Sequence, residues 1–148
     1  MSTLDNFGAY ATAFEETFVD DDWSRLTMYF IDDAVYEVKG GGFDCRIKGP
    51  EAIFKGMKQS LDGFDRQLDS RTIEVTSEPE VTDDSVSMDW KVTYTKQGAP
   101  DFVLRGHSEA RLDGDRIAWL QDSYTDEMTA ESAEWLTNNA PGLNGSYT

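Results

Sequence analysis

Apolar residues recur three and four positions apart in the first part of the chain and at every second position in its later half, so the pattern changes from a helical period to a strand period. Between Leu4 and Asp20, the side chains of Phe7, Tyr10, Phe14 and Phe18 stack on one helical face, with Asp5 or Thr3 placed to cap the start. A second, shorter helix over residues 23–30 turns Trp23, Leu26 and Phe30 inward. Asp32 and Asp33 close it, and residues 34–38 extend as a strand. Gly40, Gly41 and Gly42 interrupt regular structure and predict a turn or a loop edging a pocket mouth. Pro50 suits the first turn of a helix, where its missing N–H is not needed, and Ile53, Phe54, Met57 and Leu61 follow at helical spacing up to Gly63.

The alternating pattern then predicts strands over residues 72–75, 86–95, 102–112 and 116–125, separated by Glu78-Pro79-Glu80, Gly98-Ala99-Pro100 and Asp113-Gly114-Asp115. A final helix over residues 127–138 carries Met128, Trp135 and Leu136, and Pro141-Gly142 ends the pattern. One domain over residues 1–138 and a polar tail over 139–148 are expected, with no internal repeat. A helix-first chain followed by one long antiparallel sheet curls that sheet around the helices, leaving a pocket at the open end.

Alternation also assigns faces. Val86, Met88, Trp90, Val92 and Tyr94 share one side of their strand and form the core side. In the next strand Phe102, Leu104, Gly106, Ser108, Ala110 and Leu112 point the same way. His107, the only histidine and the obvious first choice for a base, falls on the opposite, charged face between Arg105 and Glu109, where a cross-strand charge ladder is the ordinary explanation. It stays the second choice for a catalytic residue. In the last strand, Ala118, Leu120, Asp122 and Tyr124 alternate with Ile117, Trp119, Gln121 and Ser123; both sets are half apolar, so periodicity does not choose between them. With the first set inward, Asp122 enters an aromatic cavity where desolvation raises its pKa toward neutrality.

Composition narrows the partners. A chain of 148 residues makes a single core, and 12% aromatic residues make that core ring-rich. A net charge of −16, from 29 acidic and 13 basic residues, repels nucleic acid and anionic membrane surfaces. The run Asp20-Asp21-Asp22 reads as solvated surface because it lacks the ligand spacing of a calcium loop. Cys45 stands alone, so no intrachain disulfide forms. The first residues lack a signal-peptide pattern and no run is long enough to span a bilayer, so a cytoplasmic protein is expected.

The order of elements carries a family resemblance when it is taken with three groups of residues. These are Trp23, Leu26, Phe30, Asp33, Ala34 and Tyr36; then Gly49, Pro50, Ala52 and Ile53; then Gly106, Arg111, Leu112, Gly114, Asp115, Arg116 and Ile117. Over about residues 5 to 128 the chain resembles the NTF2-like superfamily, in particular its SnoaL-like branch. The resemblance implies an α+β cone of the cystatin-like type, a strongly curved antiparallel sheet wrapped over N-terminal helices around a deep pocket, and a homodimer through the outer sheet face. Members include ketosteroid isomerases, polyketide cyclases, dehydratases, epoxide hydrolases and non-catalytic binders. The positions of the isomerase's tyrosine, base and hydrogen-bonding acid fall on Phe14, Val38 and Ser108, so all three of its groups are missing. The cyclases' pocket acid falls on Asp122, which turns Ala118, Leu120 and Tyr124 inward. An epoxide hydrolase needs an Asp-Arg-Asp group in the cavity, and alternation places Arg105 and Asp89 outside it.

Two classes of function remain. One is a cofactor- and metal-independent isomerase, cyclase or dehydratase in which Asp122 moves a proton on a hydrophobic, ring-containing small molecule. That molecule is held by Tyr10, Phe14, Phe18, Tyr36, Trp90, Tyr94, Ser108 and Tyr124, with Tyr10, Tyr36 or Tyr94 donating to an enolate oxygen. The other is a non-catalytic small-molecule binder with the same lining, in which Asp122 is paired with an arginine such as Arg66 or Arg71.

Overall fold

The computed structural model describes residues 2–148. Helix α1 (Thr3–Asp20) begins on Ser2, whose hydroxyl accepts from the Asp5 amide while the Asp5 carboxylate accepts from the Ser2 amide. This capping box replaces the Asp5 or Thr3 cap expected from the sequence. The residues after it form a 3₁₀ turn, Trp23–Tyr29, and strand β1 (Phe30–Lys39) starts earlier than the pattern implies. Asp32 and Asp33 lie within β1 and not at a helix end. A shift of register between Phe30 and Val35 leaves both carboxylates in solvent while Phe30 and Ala34 stay buried.

The glycine turn after β1 has positive φ at Gly40, Gly41 and Gly42, and it feeds a short edge strand, β2 (Cys45–Lys48), that alternation did not reveal. Helix α2 (Pro50–Gly63) then lays Ile53, Phe54, Met57 and Leu61 on the core. Strands β3 (Ser70–Val75), β4 (Glu80–Val81), β5 (Ser85–Thr95), β6 (Phe102–Asp113) and β7 (Arg116–Ser123) and helix α3 (Asp126–Asn139) complete the chain.

The sheet runs β2-β1-β7-β6-β5-β3, with β4 also on β5. Every pairing is antiparallel except β1 with β7, which is parallel because the chain returns to β1 only after the whole β3–β6 excursion. The ambiguous pattern of β7 has a local cause. Its register against β6 shifts between Arg111 and Leu112, so Ile117 and Leu120, three apart, are both buried. Beyond that bulge, Leu120, Asp122 and Tyr124 alternate regularly inward. The architecture is α+β with a curved, unclosed sheet, as the resemblance implied, and no described helix is long and apolar enough to cross a membrane.

Two apolar clusters form the interior. One joins α1, α2, β1 and the far ends of β5, β6 and β7, and the other places Phe64, Tyr94 and Phe102 under Met128 and Trp135 of α3. Tyr124 packs against both.

The polar tail expected over residues 139–148 begins with the last residue of α3, Asn139, and the rest of it returns across α2. The Asn144 amide donates to the Gly63 carbonyl at 3.0 Å, Ser60 Oγ donates to the Gly145 carbonyl at 2.6 Å, and Tyr147 packs against Tyr36. A Cβ on Gly63 would lie 1.9 Å from the Asn144 carbonyl oxygen. Helix propensity alone favours alanine over glycine there by about 1 kcal/mol. The clash is with backbone and cannot be relieved by a rotamer, so overpacking of about 1–3 kcal/mol wins. Gly63→Ala is therefore expected to lower Tm and to make the last residues the first site of limited proteolysis.

Candidate functional site

Between the two clusters lies a cavity of about 320 Å³. Strand alternation supplies one wall, with Trp90 and Tyr94 from β5, Ser108 from β6, and Asp122 together with Tyr124 at the end of β7. Tyr10 and Phe14 of α1, Tyr36 of β1 and Tyr147 of the C-terminal segment close it.

Asp122 sits where three strands meet. Its Cα pairs with Ser108 across β6 and with Val38 across β1, which puts Tyr36, two residues before Val38, on the same face within diagonal reach. Ser108 Oγ donates to Oδ1 at 2.6 Å and Tyr36 Oη donates to Oδ2 at 2.6 Å. Trp90 Nε1 in turn donates to Ser108 Oγ at 2.8 Å. Burial pushes the Asp122 carboxyl above its ordinary range, and the hydrogen bonds from Ser108 and Tyr36 and the charge of His107 only partly offset this. Burial, then the neighbouring Asp122 charge, pushes the Tyr36 phenol well up. Among the described residues no cation forms an ion pair with Asp122; Arg66 pairs with Asp62 and Asp21, and Arg71 with Glu15 and Asp65.

A second polar group on the cavity wall was not anticipated. Asp65, in a 3₁₀ turn after α2, accepts from Arg71 Nε and from Tyr94 Oη, both at 2.9 Å, while Arg71 Nη1 donates to Glu15 Oε1 at 2.5 Å. The pairing of Arg71 with Tyr94 across β3 and β5 brings these groups together. Burial raises the Asp65 carboxyl despite the adjacent guanidinium; at Arg71 burial acts to lower the pKa, and the carboxylates of Glu15 and Asp65 outweigh it and raise it. The cavity thus has a carboxylate–guanidinium–carboxylate group, built from residues that no single-strand pattern links. Arg105 and Asp89 lie outside it, as alternation requires, bonded to Glu131 and His107.

Of the residues expected in the site, Tyr10, Phe14, Tyr36, Trp90, Tyr94, Ser108, Asp122 and Tyr124 line the cavity. Two do not. Phe18, one turn past Phe14, has left the cavity wall and lies under the guanidinium groups of Arg66 and Arg71, 5.5 and 4.9 Å from its ring centroid. His107 is on the outer face, its side chain 44% exposed and its Nδ1 2.7 Å from Asp89 Oδ1, which removes it as a base for chemistry inside. Phe14, Val38 and Ser108, to which the resemblance assigned the isomerase's three groups, all line the cavity. The one acid at this end of the cavity stands one strand over, beside Val38.

No protein-family model matches the chain, and no curated protein matches it. Solved structures do. An NTF2-like protein of unknown function from Burkholderia pseudomallei K96243 superposes with a TM-score of 0.62 at 15% identity, over 93% of this chain and 99% of that one. The fold is NTF2-like. A protein with a ketosteroid isomerase-like fold from Catenulispora acidiphila DSM 44928, in complex with trimethylamine, gives 0.61 at 19% identity over 84% and 92% of the two chains. TerC co-crystallized with polyporic acid gives 0.63 at 16% identity over 87% and 98%. Within this NTF2-like fold, Asp122 and the Asp65–Arg71–Glu15 group mark two polar positions in an otherwise aromatic interior.

Proposed function

We propose that the protein is a cofactor-independent enzyme of the isomerase, cyclase or dehydratase type, in which Asp122 moves a proton on a ring-containing small molecule held in the cavity. The observation that carries this is a cavity-lining carboxylate with no counter-ion among the described residues, its two oxygens oriented by Ser108 and Tyr36. A salt bridge to Arg66 or Arg71 would have made it a weak base, and both arginines are engaged elsewhere. The cavity volume lies at the low end of small-molecule pockets, about 300–1,000 Å³. Two fold neighbours hold small molecules, trimethylamine in one and polyporic acid in the other.

The carboxylate accepts a proton from an acidic C–H and returns it elsewhere on the same molecule, and the negative charge that develops on the substrate oxygen meets a phenol. Of the three tyrosines first considered for that donor, Tyr36 is bonded to Asp122 and Tyr94 to Asp65. Tyr10 lines the cavity and its hydroxyl has no hydrogen-bond acceptor among the described residues. Tyr10 is the donor in this scheme, and Tyr36 and Ser108 are positioning residues.

The test starts from native mass spectrometry of the purified protein to identify a co-purified ligand, which is then returned to the protein in D₂O. Incorporation of deuterium into the ligand by the parent protein, absent with Asp122→Asn, is the expected result. A ligand that stays unlabelled and unchanged would make the protein a binder.

A further inference from the structure

The charges on the cavity wall are unbalanced. Four carboxylates line it: Glu15 and Asp65 hold the one lining guanidinium, that of Arg71, the exposed Glu74 pairs with Lys91 at 3.4 Å, and Asp122 has no cationic partner among the described residues. The chain's net charge of −16 adds a field of the same sign.

Around Asp122 the walls are aromatic. Trp90 and Tyr124 meet at 90° with centroids 5.9 Å apart and form a corner, and Tyr36 stands on the other side of the carboxylate. The corner exists because position 106 carries no side chain: a Cβ there would lie 2.6 Å from the Trp90 ring and 3.0 Å from that of Tyr124. Ring faces carry the negative end of the aromatic quadrupole, so they attract a cation and offer little to an anion. A buried carboxylate without a counter-ion is costly, and a ligand that brings a positive charge relieves that cost.

We infer that the cavity selects an organic cation, a substituted ammonium carried on an apolar ring-containing body, with the ammonium seated between the Trp90–Tyr124 corner and Asp122. Building on the proton-transfer reading, this adds a reason for the charge. Burial alone favours the protonated acid, whereas a neighbouring ammonium favours the carboxylate, so binding the substrate delivers the base in its ionised form. The substrate class that follows is an amine or quaternary ammonium compound bearing an acidic C–H, and carboxylates of similar size are excluded.

A matched pair of probes separates charge from shape: phenyltrimethylammonium and its neutral isostere tert-butylbenzene, with binding read by tryptophan fluorescence and by calorimetry. The cation is expected to bind about ten-fold tighter. Asp122→Asn, which preserves shape, is expected to remove most of that preference, and Trp90→Leu to weaken the cation more than the isostere. Equal or tighter binding of tert-butylbenzene, or failure of the cation to bind at millimolar concentration, would overturn cation selection. Deuterium exchange on the co-purified ligand reads the proton-transfer scheme separately, so either can fail while the other stands.

Discussion

At neutral pH the Asp122→Asn protein is expected to melt at a higher temperature than the parent while losing turnover by about 10²–10⁴-fold. The gain in stability comes from burial, the main reason the Asp122 carboxyl lies above its ordinary value of 3.8; Ser108, Tyr36 and His107 recover only part of it. An asparagine amide keeps an oxygen for the Ser108 hydroxyl and turns its NH₂ toward Tyr36 Oη, which then accepts, so geometry is preserved while the charge is gone. The sign with pH follows from the raised pKa. Between 3.8 and the folded-state value, the folded protein holds the proton that the unfolded chain has released, so the parent loses stability as pH rises through that interval. Below it both states are protonated and the electrostatic advantage of asparagine vanishes; above it the advantage is complete. Melting curves at about pH 3 and about pH 8 check this, and an equal Tm difference at both would remove burial of charge as the cause. Undiminished turnover would take Asp122 out of the reaction.

The inward set of β5 and β6 was legible because those strands are long, regular and half-buried, so a period of two survives along Val86, Trp90, Val92 and Tyr94. In β7 the bulge near Ala118 adds one residue, mixes two phases of the alternation, and hides the direction of Asp122 from any argument based on period alone. The resemblance turned Leu120, Asp122 and Tyr124 inward, as they lie in the structure, but it also turned Ala118 inward, and that residue sits at the bulge while Ile117 is the buried one. That Tyr36, of the three candidate tyrosines, is the one bonded to Asp122 could not be read from sequence, because the parallel β1–β7 pairing that brings them together joins residues 86 apart. The Asp65–Arg71–Glu15 group was hidden for the same reason. Its members come from a turn, an edge strand and α1, and only the closed fold makes them neighbours. The last residues read as polar because Asn144, Gly145 and Ser146 are small or hydrophilic, yet Asn144 and Gly145 fit against Gly63 and Ser60 and Tyr147 follows them to the cavity.

The largest loss of stability is expected for Arg71→Met. The Arg71 side chain is 9% exposed and that of its partner Asp65 12%, so methionine fills much of the volume but leaves a buried carboxylate whose remaining side-chain donor is the Tyr94 hydroxyl. Glu15, 39% exposed, can turn to solvent and adds little. Breaking one side of a buried pair costs about 3–5 kcal/mol, which for a domain of this size lowers Tm by about 6–20 °C. Asp65 then keeps its proton in the folded state, so the deficit shrinks in acid and grows as pH rises through its raised pKa. Adding Asp65→Asn retains an acceptor for Tyr94 and removes the stranded charge, and the double variant is expected to recover most of the loss in a double-mutant cycle. If the double variant melts no higher than Arg71→Met, the cost lies in the lost packing of the guanidinium over Phe18, 4.9 Å from its ring centroid, and not in the charge of Asp65.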